Sequence, residues 1–154
     1  MPKPQFVHVT YIAASAERVW EALTDAERTQ QLWGFRMEAE WRTGAHFRHV
    51  APDGRVLAEG DVLECDPPHR FTITWRWALI KGQRQPMPAA TATCRIEALG
   101  DVTRLTVSET HAEPVNEEYL DGGRKDWPVI VSRLKTLLET GRALPEFSDP
   151  GASH

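Results

Sequence analysis

The stretch from Trp127 to Gly141 constrains the fold of this 154-residue chain more than any other. Trp127, Ile130, Val131, Leu134, Leu137 and Leu138 recur at helical spacing, and Arg133, Lys135, Thr136 and Glu139 fall on the opposite side. That is an amphipathic helix with one broad apolar stripe. Pro128 suits a first helical turn, where a missing N–H costs nothing, and Gly141 suits the left-handed stop after a last turn. A helix of this length is marginal by itself in water and needs an apolar surface to cover.

The rest of the chain supplies that surface. From Arg36 to His111 the side-chain period is two, as in strands with one buried face. Phe35, Met37, Ala39 and Trp41 alternate with Arg36, Glu38, Glu40 and Arg42, the latter reading as a solvated face. A short strand follows over Ala45–Val50, then a Pro52-Asp53-Gly54-Arg55 hairpin turn, in which Pro presets φ and Gly takes the strained position. Val56 to Cys65 is the next strand, stopped by Asp66-Pro67-Pro68. Arg70 to Leu79 places Phe71, Ile73, Trp75 and Trp77 on one face, and Ile80 to Pro88 reads as a loop. Ala89–Leu99 and Val102–His111 are strands joined by Gly100-Asp101. Ahead of them, Phe6–Ile12 reads as a first strand. Ser15 caps a helix over Ala16–Thr24, and Asp25 caps a shorter one over Ala26–Leu32, stopped by Gly34. The expected fold is α+β: an antiparallel sheet of six to seven strands curved around the long C-terminal helix, with two short helices after strand one. One domain is expected over residues 1–154, with an ordered core over 6–142 and a flexible tail over 143–154.

Composition narrows the function classes. Net charge is −4, unlike that of a sequence-independent nucleic-acid binder, so no nucleic-acid partner is expected. No apolar run is long enough to span a membrane, and the first residues have no signal-peptide core, so a cytoplasmic protein is expected. Cys65 and Cys94 stand singly in strands, without metal or disulfide spacing, and read as reduced, buried thiols.

Several segments together resemble the START-like (SRPBCC) superfamily. They are Gln31-Leu32-Trp33-Gly34-Phe35 with Arg36 to Gly44, Val62 to Arg70, Thr74-Trp75, and the closing segment Asp126 to Gly141. The resemblance is to the bacterial branch similar to the C-terminal domain of the activator of the ninety-kilodalton heat-shock chaperone's ATPase, and it covers about Phe6 to Arg142. It implies the helix-grip fold and a ligand cavity between the long helix and the sheet. It also implies a chaperone as a possible protein partner, although the eukaryotic activator's additional N-terminal, chaperone-binding domain is not expected here.

Four constellations bear on chemistry. Six tryptophans are many for this length, and Trp41, Trp75, Trp77 and Trp127 fall on inward or rim positions, as core or as ligand wall. Glu109 and His111 share a strand face with Leu105 and Val107. They are either an acid–base or polar-end pair inside a cavity, or solvated where the strand leaves the sheet. His46 and His49 face opposite sides of one strand, and no metal-ligand spacing exists, so no metal is expected. Gly122-Gly123 with Arg124 and Lys125 reads as a flexible entry to the long helix. The leading expectation is a cofactor-free protein, monomer or homodimer, that binds a small hydrophobic or amphipathic molecule. Trp127, Val131, Leu134 and Leu138 would form the roof, and Trp41, Phe47, Phe71, Ile73, Trp75 and Trp77 the floor and walls. The alternatives are an interaction protein such as a chaperone partner, and an enzyme using Glu109 and His111.

Overall fold

The computed structural model describes residues 6–77, 89–111 and 117–145. The loop expected from Ile80 to Pro88 and the tail beyond residue 145 lie outside the described residues. Strand β1 (Phe6–Ile12) leads into α1 (Ala16–Thr24) and α2 (Ala26–Trp33). Strands β2 (Arg36–Ala39), β3 (His46–Val50), β4 (Val56–Asp66), β5 (Arg70–Trp77), β6 (Ala90–Leu99) and β7 (Val102–His111) follow, and α3 (Glu117–Thr140) closes the series.

Local chemistry sets the element ends. Ser15 Oγ accepts from the Arg18 N–H, and the Asp25 carboxylate accepts from the Arg28 N–H, so both short helices carry a side-chain cap. Gly34 and Gly141 stop α2 and α3 in the left-handed region, at φ 87° and 75°, where a side chain would be strained. Thr29, fully buried, accepts the Met37 N–H on its hydroxyl and so fixes α2 against β2.

The sheet is antiparallel throughout, in the order β1-β7-β6-β5-β4-β3-β2. The six strands after α2 form a meander, and β1 adds at the far edge beside β7. Register turns the period-two pattern into inward rows. One row runs Ala39, Phe47, Gly60, Trp75, Ala90, His111, and the next runs Val62, Ile73, Ala92, Glu109. The outward face is polar: Glu38, Arg48, Glu59 and Arg76 alternate in sign across four strands, and Arg48 donates to Glu38 at 2.6 Å.

α3 covers the inward rows with Trp127, Ile130, Val131, Leu134 and Leu138, all buried. It is pinned along its length. Trp127 Nε1 donates to Glu109 Oε1 on β7 at 3.0 Å, and Arg133 donates to the Leu32 carbonyl on α2 at 3.1 Å. Lys135 Nζ donates to the Tyr11 carbonyl at 2.7 Å, and Glu139 accepts the Ala13 N–H at 2.7 Å. The last two contacts also occupy backbone groups at the end of edge strand β1, which would otherwise offer pairing to another chain.

Three expectations are corrected. α3 begins at Glu117, ten residues before Trp127, so Gly122-Gly123 lies within the helix and Pro128 is inside it. Sequence rules place breakers at ends because of their local cost, but the packing of the segment that follows overrides that cost. β2 ends at Ala39, before the expected Arg42, so Trp41 follows the strand. Cys94 is buried as expected, with its thiol pushed up to about 12 by desolvation, whereas Cys65 is only partly buried.

Gly60 sits where β4 passes closest to β5, and a Cβ built there would overlap the Thr74 carbonyl. Gly60→Ala is expected to destabilise the fold by roughly 1–3 kcal/mol through overpacking. An unchanged urea midpoint would contradict this close approach.

Candidate functional site

The inward face carries two aromatic groups. At one end Trp20, Trp41, Phe47 and Phe71 meet edge to face or tilted, with centroids 4.9–6.4 Å apart. There the Trp41 indole N–H is spent on the Thr24 carbonyl at 2.9 Å, which seals this end against α1. At the other end Trp33, Phe35, His49, Trp75 and Trp127 form a second group, joined to the first by the Phe47–His49 contact at 4.8 Å.

His49 is the centre of the second group. Phe35 lies at 4.6 Å and 31°, Trp75 at 6.0 Å and 27°, and Trp33 at 6.5 Å. Trp33 in turn meets Trp127 edge-on at 4.8 Å. Enclosure by uncharged rings desolvates the imidazole and pulls its pKa down to about 3, so His49 is neutral at pH 7.

Glu109 and His111 are not solvated where the strand leaves the sheet: both are buried, at 5% exposure each. The Glu109 carboxylate ties β7 to α3. Its Oε1 accepts from Trp127 on α3, and its Oε2 stands 3.2 Å from His111 Nε2. Burial lowers the His111 pKa, so this ring too is neutral at pH 7. The floor beneath the cluster is small: Ala58 faces His49 in register, Ala90 faces both Trp75 and His111, and Ala92 faces Glu109. Of the polar groups here, the indole N–H groups of Trp33 and Trp75 are buried and meet no acceptor among the described residues.

The structure thus brings Phe47, Ile73, Trp75, Trp127, Val131, Leu134, Leu138, Glu109 and His111 onto the buried face. Phe71 is buried and Trp41 half-buried at the opposite end, and the Trp77 side chain lies outside the described residues. Among the described residues, no group of acidic, histidine or cysteine side chains could hold a metal ion. A separate surface groove of about 600 Å³ lies between the β4–β5 turn, β6 and α1, lined in part by Glu17, Glu64, Arg70, Arg95 and Glu97. None of the wall residues contributes to it. Sequence reasoning gave Trp33 and Phe35 no site role and weighed His49 only as a metal ligand. The alternation Phe47-x-His49 was the available signal for His49, whereas Trp33 and Phe35 flank a glycine stop and reach the site only through the packing of α2.

Residues 13–139 match the family model described as Activator of Hsp90 ATPase homolog 1-like protein. No curated protein matches the chain. Among solved structures, CalU16 from Micromonospora echinospora is similar at 24% identity and TM-score 0.66, over 88% of this chain and 76% of that one. DynU16, of the dynemicin biosynthetic locus, is 25% identical with TM-score 0.73; 89% of this chain spans about half, 48%, of that one. The Aha1 dimer from Colwellia psychrerythraea is 19% identical with TM-score 0.68, over 90% of this chain and 98% of that one. These likenesses bear out the helix-grip fold expected of the closing helix and its sheet. No described helix is long and apolar enough to cross a membrane.

Two expected outcomes follow from this geometry. Trp127→Phe keeps a ring but removes the donor to a buried carboxylate, so it is expected to cost about 1–3 kcal/mol. Trp127→Ala also leaves a cavity and is expected to cost roughly 3–5 kcal/mol. Chemical denaturation would read both, and an unshifted midpoint for Trp127→Phe would show that the Glu109 contact contributes nothing.

The second outcome concerns pH. A histidine depressed to about 3 in the fold but ordinary in the unfolded chain makes the unfolded state bind more protons between those values. Stability is therefore present above pH 6.5 and falls as pH drops toward 3, by up to about 1.4 kcal/mol per pH unit for this one group. His49→Phe is expected to flatten the pH dependence of the urea midpoint between pH 6.5 and 5. An equal slope in both proteins would mean that His49 is not held neutral.

Proposed function

This chain belongs to the family of Activator of Hsp90 ATPase homolog 1-like proteins, and we propose that it binds one small apolar or amphipathic molecule between α3 and the sheet. The observation that carries this reading is the pair of buried indole N–H groups of Trp33 and Trp75, lacking acceptors among the described residues, above a floor of alanines. Buried donors are normally paired, and an exception in a close-packed interior points to a partner from outside the chain. Trp127, Val131, Leu134 and Leu138 serve as roof, Trp41, Phe47, Phe71, Ile73 and Trp75 as apolar walls, and Glu109 and His111 as the polar end. Binding needs no cofactor, because the recognition is contact and hydrogen bonding.

A second reading is favoured by one specific observation, the 3.2 Å approach of His111 Nε2 to Glu109 Oε2 inside this apolar surround. A neutral imidazole oriented by a carboxylate is a general base when a substrate proton lies within reach, so the bound molecule would then be a substrate. A protein-partner role would rest instead on Val7, Val9 and Tyr11, which are exposed in a row on the outer side of β1.

Native mass spectrometry of freshly purified protein is expected to reveal a retained molecule. Stripped protein is expected to bind 1-aminoanthracene with one-to-one stoichiometry. Ala92→Leu, which raises the floor beside Glu109, is expected to weaken that binding by more than about tenfold while keeping a cooperative melt. Protein that retains nothing and binds no apolar probe would defeat the reading.

A further inference from the structure

We propose that two copies of this chain pair through the open edge of β1, antiparallel about a two-fold axis at His8, so that their two sheets become one. The pairing uses the edge of the sheet and not the face beneath α3, so it is independent of what binds there.

In an antiparallel ladder, successive residues turn their peptide groups alternately to one side of the strand and the other. At the end of β1, Lys135 holds the Tyr11 carbonyl and Glu139 holds the Ala13 N–H, both from α3. The odd-numbered residues therefore turn their N–H and C=O away from β7, and before Tyr11 these are Val7 and Val9. Their edge groups meet no partner among the described residues. The side chains of Val7 and Val9 are exposed as well, at 57% and 45%. The usual protections of an edge strand are missing here. Phe6–Ile12 holds no Lys, Arg, Asp, Glu or Pro, and its register with β7 runs without a shift. The opposite edge differs: β2 carries Arg36 and Glu38, and Thr29 of α2 accepts its Met37 N–H.

A second copy of β1 is the occupant this edge fits. With the two-fold at His8, each Val7 lies opposite the partner's Val9, and every edge N–H and C=O of the two valines finds its complement. Moving the axis toward Tyr11 would call on the carbonyl that Lys135 already holds. On the outer face the facing valines form cross-strand β-branched pairs. No like charges meet across the junction among the described residues. Val7 and Val9 are backed by Ser108 and Thr106 on β7, and Arg104 of that strand is paired with Glu97. An isologous contact needs only one self-complementary patch, whereas a strand from another protein would have to match both the register and the lack of charge. A contact limited to Phe6–Thr10 is small beside the roughly 800 Å² per partner of a standard interface, so the dimer is reversible, with a Kd between about 1 and 100 µM.

Sedimentation velocity of the full chain from about 1 µM to about 500 µM is expected to show a monomer–dimer equilibrium. Val9→Lys sets an ammonium against the partner's Val7, and Val7→Pro removes an edge donor that β7 does not use. Each is expected to raise Kd about tenfold or more while the protein keeps a cooperative melt. Leu63→Lys, at an apolar side chain of similar exposure on β4, is expected to leave Kd unchanged. Cross-linking reads the register. In a non-hydrogen-bonded antiparallel pair the facing Cα atoms stand about 4.5 Å apart, within the span of a disulfide. With Cys65→Ser removing the partly exposed thiol, His8→Cys is expected to give a covalent dimer under oxidised glutathione, and Tyr11→Cys is not. A monomer at every concentration, a dimer that Val9→Lys and Val7→Pro leave intact or that Leu63→Lys weakens equally, or a dimer that His8→Cys does not cross-link would overturn the proposal.

Discussion

The hydrogen bond between the Trp127 indole and the Glu109 carboxylate is the contact on which the interior depends. It joins the closing helix to the strand it covers, at the point where the covered face turns from apolar to polar. An unpaired carboxylate at that depth would be costly, so the indole donor and the nearby imidazole allow Glu109 to be buried at all. The rest of α3 then closes over the sheet, with Arg133 on α2 and Lys135 and Glu139 on the end of β1 setting its position. The apolar stripe supplies most of the attraction, and these polar contacts supply its direction.

Polarity runs along the interior in one direction. At the end near α1, Trp41 has spent its N–H on the Thr24 carbonyl, and its neighbours Trp20, Phe47 and Phe71 pack on one another as core. At the other end the rings surround histidine and carboxylate groups, the floor is alanine, and two indole donors lack acceptors among the described residues. The same residue type therefore has its N–H paired within the chain at one end and buried without an acceptor among the described residues at the other, at Trp33 and Trp75.

Membership of the family and likeness to CalU16, DynU16 and the Colwellia Aha1 establish the architecture, which is compatible with ligand binding. A shared helix-grip frame positions a helix over a curved sheet, and chemistry depends on which side chains occupy the covered rows. In this chain those rows carry His49, Glu109 and His111 among aromatic rings.

Much of the fold was legible in the sequence because it rests on local rules. The caps at Ser15 and Asp25 and the glycine stops at Gly34 and Gly141 act within a few residues of themselves and appear where the pattern puts them, and the period of two recurs in the described strands, although β2 ends at Ala39. The start of α3 was not legible, because Gly122, Gly123 and Pro128 are breakers by local rule and yet lie within the helix. The inward side of Glu109 and His111 was legible from alternation with Leu105 and Val107. Their burial was not, since it required Trp127, sixteen or more residues onward, to donate from the covering helix. By itself, then, the sequence determined the elements, their faces and the existence of a cover. Tertiary structure alone decided which buried polar groups found partners, because hydrogen bonding depends on distances between strands and helices that no local period encodes.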